Sequence, residues 1–226
     1  MIGEDIYLED DDLNVLSKMP LFCGIEKSMI KELLKSLDCE EKTFNSKDII
    51  WKAGSPCSQF GIVLEGSIQS VDPNRDEGQI IQRFSQGKSF GEAIAFGKHI
   101  TWVDIVAAQD CRILFISAPK VIENKLNPSV SILTVNLLRE ISNKLSLITL
   151  KNQLISEPRV RNKLLMYLST LPTDENGFKK IPFLQKDLAQ YLNVNRYAFN
   201  REISRMKDEG IIEIQGQNIR VNKKND

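Results

Sequence analysis

Arg196, Tyr197, Asn200 and Arg201 stand one and four residues apart near the end of this chain, a spacing that puts all four on one face of a helix. Two guanidinium forks, a phenol and a carboxamide presented together can hydrogen-bond to base edges and phosphate oxygens. They suit the reading of a duplex and not the making or breaking of bonds. Asn195 ahead of them, and Lys186 and Arg205 on either side, complete the candidate DNA-binding set. A plainer reading, a helical hairpin with a solvated basic face, uses the same residues. Nothing elsewhere suggests catalysis: His99 is the only histidine, and there is neither a recognisable carboxylate pair nor a phosphate-cradling glycine loop. Cys23, Cys39, Cys57 and Cys111 include no C-x-x-C pair, so no metal site is expected and the thiols should be reduced and mostly buried. Cys57, in an expected loop, would be redox-sensitive only if its surroundings lowered its pKa.

The reading face needs a rigid mount, and residues 184–207, LQKDLAQYLNVNRYAFNREISRMK, supply its pattern. Leu184, Leu188, Ala189 and Leu192 recur at helical spacing, and Asn193 and Val194 interrupt them for the length of a tight turn. Asn195 is the expected N-cap of the second helix, whose inward stripe is Ala198, Phe199, Ile203 and Met206. Gly210 is the expected C′ residue. The stretch IIEIQGQNIRV then alternates and reverses at Gln215 to Asn218, as a small β-hairpin does, and the ensemble reads as a winged helix-turn-helix. Charge supports it. Residues 157–226 hold 13 Lys and Arg against 9 Asp and Glu, net +4, while residues 1–156 hold 17 against 21, net −4.

A chain of 226 residues is too long for that domain alone. Residues 13–38 read as short helices, and from about Lys42 to Ile116 the period becomes two, in short runs such as FGIVLEGSIQS and CRILFI, punctuated by Gly54, Gly66, Gly87 and Gly91. A compact all-β barrel or roll is expected there. After Pro128 the chain turns helical for almost thirty residues. Leu138, Ile141, Leu145, Ile148, Asn152 and Ile155 form a three-four seam, while Val130, Leu133 and Leu137, then Leu147, Leu150 and Leu154, add apolar surface on another side. The economical solution is one side against the chain's own roll and the seam against a second copy, as a parallel coiled coil with Asn152 fixing register. A long core helix in a monomer is the alternative. Ser156, Glu157 and Pro158 break the helix, RVRNKLLMYLSTL opens the last domain, and PTDENGF is read as a polar turn. The expected domains are residues 1–127, a roll with short leading helices; 128–156, the dimerisation helix; and 157–226, the winged domain. No membrane-length apolar run occurs, the acidic start MIGEDIYLEDDD lacks a secretory pattern, and a cytoplasmic location is expected.

The segments GSPCSQFGIVLEGSI with FGEAIAF, and LAQYLNVNRYAFNREISRMKDEGII, occur in an order that resembles the Crp/Fnr family of bacterial transcription regulators over nearly the whole chain. The resemblance implies an α+β fold: an N-terminal double-stranded β-helix, the jelly roll of cyclic-nucleotide-binding domains, a long dimerisation helix, and a C-terminal winged helix-turn-helix. In nucleotide-binding members a cassette opens with a Phe-Gly-Glu-like sequence, whose glutamate meets the ribose, and closes with an arginine on the cyclic phosphate. Phe90, Gly91 and Glu92 match the opening, followed by Ala93, but the closing stretch reads His99, Ile100, Thr101, Trp102, with Lys98 before it as a point charge lacking the fork geometry, and no arginine lies between Arg83 and Arg112. These residues, Phe90 to Ala93 with Lys98, His99 and Thr101, are the candidate effector set, and the effector is not expected to be cyclic AMP. An iron–sulfur cluster needs closely spaced N-terminal cysteines, which are missing, and haem would need His99 as its axial ligand; no cofactor is expected.

The resemblance also places the base-contacting positions on Arg196, Tyr197, Asn200 and Arg201, with Arg201 matching a guanine-reading arginine and Tyr197 standing where many members carry glutamate. The partners implied are a pseudo-palindromic operator in duplex DNA, a second copy of the chain, an unidentified small-molecule effector, and RNA polymerase if the protein activates. A regulator that answers to no ligand, and an effector-binding interaction module that leaves DNA alone, remain open readings.

Overall fold

The structure, a computed structural model, describes residues 8–74, 79–97, 100–182 and 185–222. The chain divides into two compact units, Met1–Asn143 and Lys144–Asp226. No described helix is long and apolar enough to cross a membrane.

In the first unit α1 (Asp10–Ser17), a 3-10 turn (Pro20–Phe22) and α2 (Lys27–Ser36) precede β1 (Glu40–Phe44), β2 (Ile49–Trp51), β3 (Gln59–Glu65), β4 (Ser67–Asp72), β5 (Gln79–Ser85) and β6 (Ser89–Phe90). Then come α3 (Glu92–Gly97), β7 (Asp104–Ala107), β8 (Cys111–Ser117) and α4 (Ala118–Glu123). The strands form two antiparallel sheets, β1-β8-β3-β6 and β2-β7-β4-β5, the two walls of a jelly roll. Gly66 turns β3 into β4 with φ +79°, and a Cβ there would run into the backbone of Asp110 and Cys111.

The apolar runs of β3 and β8 are buried on both sides. Phe60, Ile62, Leu64, Leu114 and Ile116 pack with Leu16, Phe22, Ile30, Leu33 and Leu34 of the leading helices. Val63, Ile113 and Phe115 instead face the other sheet, with Ile68, Phe90 and Ile105. Period two therefore sorts one apolar side chain from the next between two cores instead of sorting apolar from polar. Arg112 pins α1 to this wall: its guanidinium holds the buried Asp12 carboxylate at both ends, Nη1 to Oδ2 at 3.1 Å, and reaches Glu41 at 2.7 Å.

Helix α5 (Pro128–Ser156) packs Val130, Leu133 and Leu137 into the first core, and Asn136 donates to the carbonyls of Leu21 at 3.1 Å and Cys23 at 2.7 Å. Farther along, Leu154 is buried and Leu150 half-buried in the core of the second unit, while Leu147 is exposed. The expectation that this whole second side lies on the roll is thus corrected. The helix outruns the roll, whose contribution to its burial ends at Leu137 and the partly buried Ile141.

The second unit contains α6 (Val160–Ser169), β9 (Phe178–Lys180), α7 (Gln185–Tyr191), α8 (Arg196–Asp208), β10 (Ile212–Gln215) and β11 (Asn218–Val221). Its sheet is three-stranded, β10-β11-β9, so the expected hairpin has gained a strand. The turn before β9 is shaped by Asp174, whose Oδ1 accepts from the amides of Asn176 at 2.9 Å and Phe178 at 2.8 Å. Leu164, Leu168, Leu188, Leu192, Phe199, Ile203, Met206, Ile212 and Ile219 form the core. Leu184 lies outside the described residues.

Candidate nucleic-acid interface and sensor cassette

Helix α8 is fixed at both ends by its own sequence. Asn195 caps its start, its Oδ1 accepting from the amides of Tyr197 at 2.9 Å and Ala198 at 3.3 Å. At its end Gly210 adopts φ +68°, and the amides of Gly210 and Ile211 donate to Lys207 and Met206, both at 2.9 Å. The connection from α7 bends at Asn193, φ +52°, a left-handed conformation that asparagine tolerates better than most side chains. Phe199, Ile203 and Met206 bury the inner stripe, so rotation about the helix axis is set by packing.

That packing leaves Arg196, Tyr197, Asn200, Arg201 and Arg205 exposed together, Tyr197 at 78%. Arg196 and Arg201 have no ion-pair partner among the described residues. Arg205 is partly engaged, donating through Nε to Glu209 at 2.8 Å. Asn195 is exposed, but its oxygen is committed to the cap. Lys186 lies on α7, and its side chain is outside the described residues.

One feature of this surface lay beyond the reach of sequence spacing. A cleft of about 610 Å³ brings the N-terminal turn of α6, with Arg159 and Arg161, against Arg201 and Arg205 of α8. Arg161 is spent on structure: it donates to Glu202 at 2.6 Å and Glu209 at 2.7 Å and ties α6 to α8. These bonds, Arg161 first and Arg205 second, hold the Glu209 carboxyl below its ordinary value. Arg159 has no ion-pair partner among the described residues, and beside the α6 N-terminus it adds positive potential next to the reading face. Lys163, buried, caps two helix ends in the same unit, donating to the carbonyls of Ile155 at 3.4 Å and Leu192 at 3.1 Å.

The seam expected on α5 is bare. Leu138, Leu145 and Ile148 are 65%, 62% and 57% exposed, Asn152 and Ile155 are also exposed, and Ile141 alone is partly buried against the first core.

Phe90 is buried in an aromatic cluster with ring centroids 4.9 Å from Trp51, 5.9 Å from Phe84 and 6.4 Å from Phe115. The Trp51 ring leaves no room for a Cβ on Gly91, and the Phe90 ring leaves none on Gly61. Glu92 is buried and accepts from Ser89 Oγ. Ala93 faces solvent, and the buried Thr101 spends its hydroxyl on the Val103 carbonyl at 2.9 Å. Lys98 and His99 lie outside the described residues. Arg112, the first arginine after the cassette, is committed to Asp12 and Glu41.

No three His, Cys, Asp or Glu side chains among the described residues are placed to hold a metal. All four cysteines are free thiols. Burial pushes Cys39, Cys57 and Cys111 upward, so Cys57 is not an activated thiolate.

Family comparison agrees with this architecture. Residues 41–123 match the cyclic nucleotide-binding domain, and residues 159–225 match the Crp-like helix-turn-helix domain. Among solved structures the chain is similar to DNR from Pseudomonas aeruginosa, 20% identical over 97% of each chain with a TM-score of 0.50. It is also similar to a cyclic nucleotide-binding domain from Methylobacillus flagellatus, 16% identical, covering 61% of this chain and 78% of that one, with a TM-score of 0.52. The catabolite activator protein of Thermus thermophilus matches at 18% identity over 90% of this chain and 93% of its own, with a TM-score of 0.47. Comparison with curated protein sequences gave no match. At these identities the structural likeness concerns the fold, and the family rests on two domain matches in order on one chain, a nucleotide-binding roll followed by a Crp-like reading head: the protein belongs to the Crp/Fnr family of transcription regulators.

Proposed function

We propose that the chain is a homodimeric, sequence-specific regulator that binds a pseudo-palindromic operator through α8 and answers to an effector other than cyclic AMP. The observation that carries the reading is the outer face of α8. Two arginine forks without ion-pair partners among the described residues, an asparagine and a tyrosine project from a helix whose ends are capped and whose inner stripe is buried. The bare leucine and isoleucine seam on α5 supports a second copy as partner, since apolar side chains at this spacing are covered in a parallel coiled coil. Against cyclic AMP stand the missing cassette arginine and the aromatic packing of Trp51, Phe84, Phe90 and Phe115 inside the roll.

The test is selection of bound duplexes from a random pool by the purified full-length protein at defined salt, with its mass measured alongside. A two-fold-symmetric motif bound by a dimer is the expected outcome. A monomer, or no enrichment both with and without candidate effectors, would overturn the reading in favour of an interaction module.

A further inference from the structure

The loop of Pro56 to Ser58, helix α3 and helix α4 line a solvent-open cavity of about 560 Å³ that shares no lining residue with the aromatic cluster inside the roll. Its walls are Pro56, Ala95, Phe96, Ile100, Pro119 and Ile122, apolar side chains brought together from three separate stretches of chain. Ile100 and Ile122 are 61% and 56% exposed, so two large aliphatic side chains stand in water beside a concave apolar surface. The polar groups come from Cys57, Ser58 and Glu123. Cys57 contributes a thiol that donates to the Gln59 carbonyl at 2.9 Å, and Glu123 is the one charged side chain among the described lining residues.

Concave, mainly apolar walls, a few polar groups and a volume within roughly 300–1,000 Å³ are the attributes of a small-molecule site. The charge decides the class of occupant. A phosphate, nucleotide or carboxylate would find the Glu123 carboxylate and no lysine or arginine among the described lining residues, and the neighbouring Lys120 is already held by Glu123 at 3.3 Å and Asp38 at 3.4 Å, so an anion would lose its hydration without a free counter-charge. We propose that this cavity binds an uncharged, largely apolar small molecule and serves as the effector site in place of the roll interior, a step that rests on reading the first unit as a sensor. Burial keeps the Cys57 thiol protonated at neutral pH, which keeps the wall uncharged there. Helix α4 ends at Glu123 and α5 begins at Pro128, so an occupant resting on Ile122 bears on the helix that carries the bare seam.

The probe is N-phenyl-1-naphthylamine, an uncharged fluorophore, titrated into the full-length protein, with duplex binding measured in parallel. Saturable binding of one probe per chain is expected, weakened about tenfold or more by Ile122→Glu and by Ile100→Glu, since each puts a carboxylate at an apolar mouth. Ile80→Glu, at an exposed isoleucine on β5 away from the lining, should leave it unchanged. Cys57 is a built-in reporter: bound probe should slow its alkylation by N-ethylmaleimide about tenfold while the exposed Cys23 reacts as before. Absence of saturable binding, binding indifferent to both mouth variants, or an unchanged Cys57 rate would each overturn the proposal. Failure of the probe with duplex binding intact removes this cavity only; probe binding without duplex binding counts against the regulator reading and leaves the cavity standing.

Discussion

Arg201 presents a guanidinium without an ion-pair partner among the described residues on an exposed face, and such a fork in a major groove takes guanine O6 and N7 together. Arg201→Ala should therefore cost about 1–3 kcal/mol of discrimination, so that competition between operator and random duplex loses most of its preference while total binding falls less. Tyr197 belongs to the same experiment. A phenol cannot accept from a cytosine amine as a carboxylate does, so Tyr197→Glu should move the selected motif toward cytosine at one position of each half-site, and an unchanged motif would show that Tyr197 faces no base. Lys163 makes a different kind of prediction, about stability. Its ammonium is the donor to two helix-end carbonyls in a buried setting, and Lys163→Met keeps the alkyl chain but removes that donor. Denaturant unfolding should report a loss on the order of 2 kcal/mol for the second unit, with the reading face unchanged in composition.

At the scale of elements, α5 carries the sharpest test. Leu145→Glu with Ile148→Glu puts carboxylates at two adjacent seam positions that are exposed in the single chain, so each chain should fold while the pair dissociates. Sedimentation should show a monomer, and operator affinity should fall to that of one half-site. The tie between α6 and α8 gives a pH signature. Because Arg161 and Arg205 depress the Glu209 carboxyl, the folded state gains stability above the ordinary carboxylate value of 4.5 and loses it as pH falls through the depressed folded value. Glu209→Gln should accordingly destabilise the second unit at neutral pH and match the wild type in strong acid, and the gap at neutral pH should narrow in high salt because these groups are solvent-exposed. What the sequence revealed and what it hid follow the same division between local and distant signals. The caps of α8 and the break after Ser156 were legible because each is written within a few neighbouring residues. Strand β9 was not, since three residues are too few to show a period. Nor was the cleft that joins Arg159 to Arg201, or the ring of Trp51 over Gly91, because each depends on residues some forty positions apart meeting only in the fold.

Over the whole molecule the net charge of zero hides +4 on residues 157–226 and −4 on residues 1–156, a split that the sequence displays openly. The consequence is directional: phosphates attract one end of the chain and repel the other, so binding should orient the protein before any base is read. A dimer doubles the reading heads, and a two-fold dimer asks for half-sites about one helical turn apart, roughly 34 Å. Two measurements on one operator separate these effects. Affinity should fall linearly on a logarithmic salt scale, and Arg159→Ala, which removes a phosphate candidate and no base contact, should flatten that slope and weaken operator and random duplex alike. Inserting half a helical turn between the half-sites should instead cost the operator its advantage and leave random duplex and salt slope nearly as they were, because it rotates one half-site to the far side of the duplex without altering any phosphate contact that a single head makes. An insertion tolerated without loss would mean that the heads bind independently, and the α5 seam would then have to be covered by something other than a second copy holding the heads in fixed register.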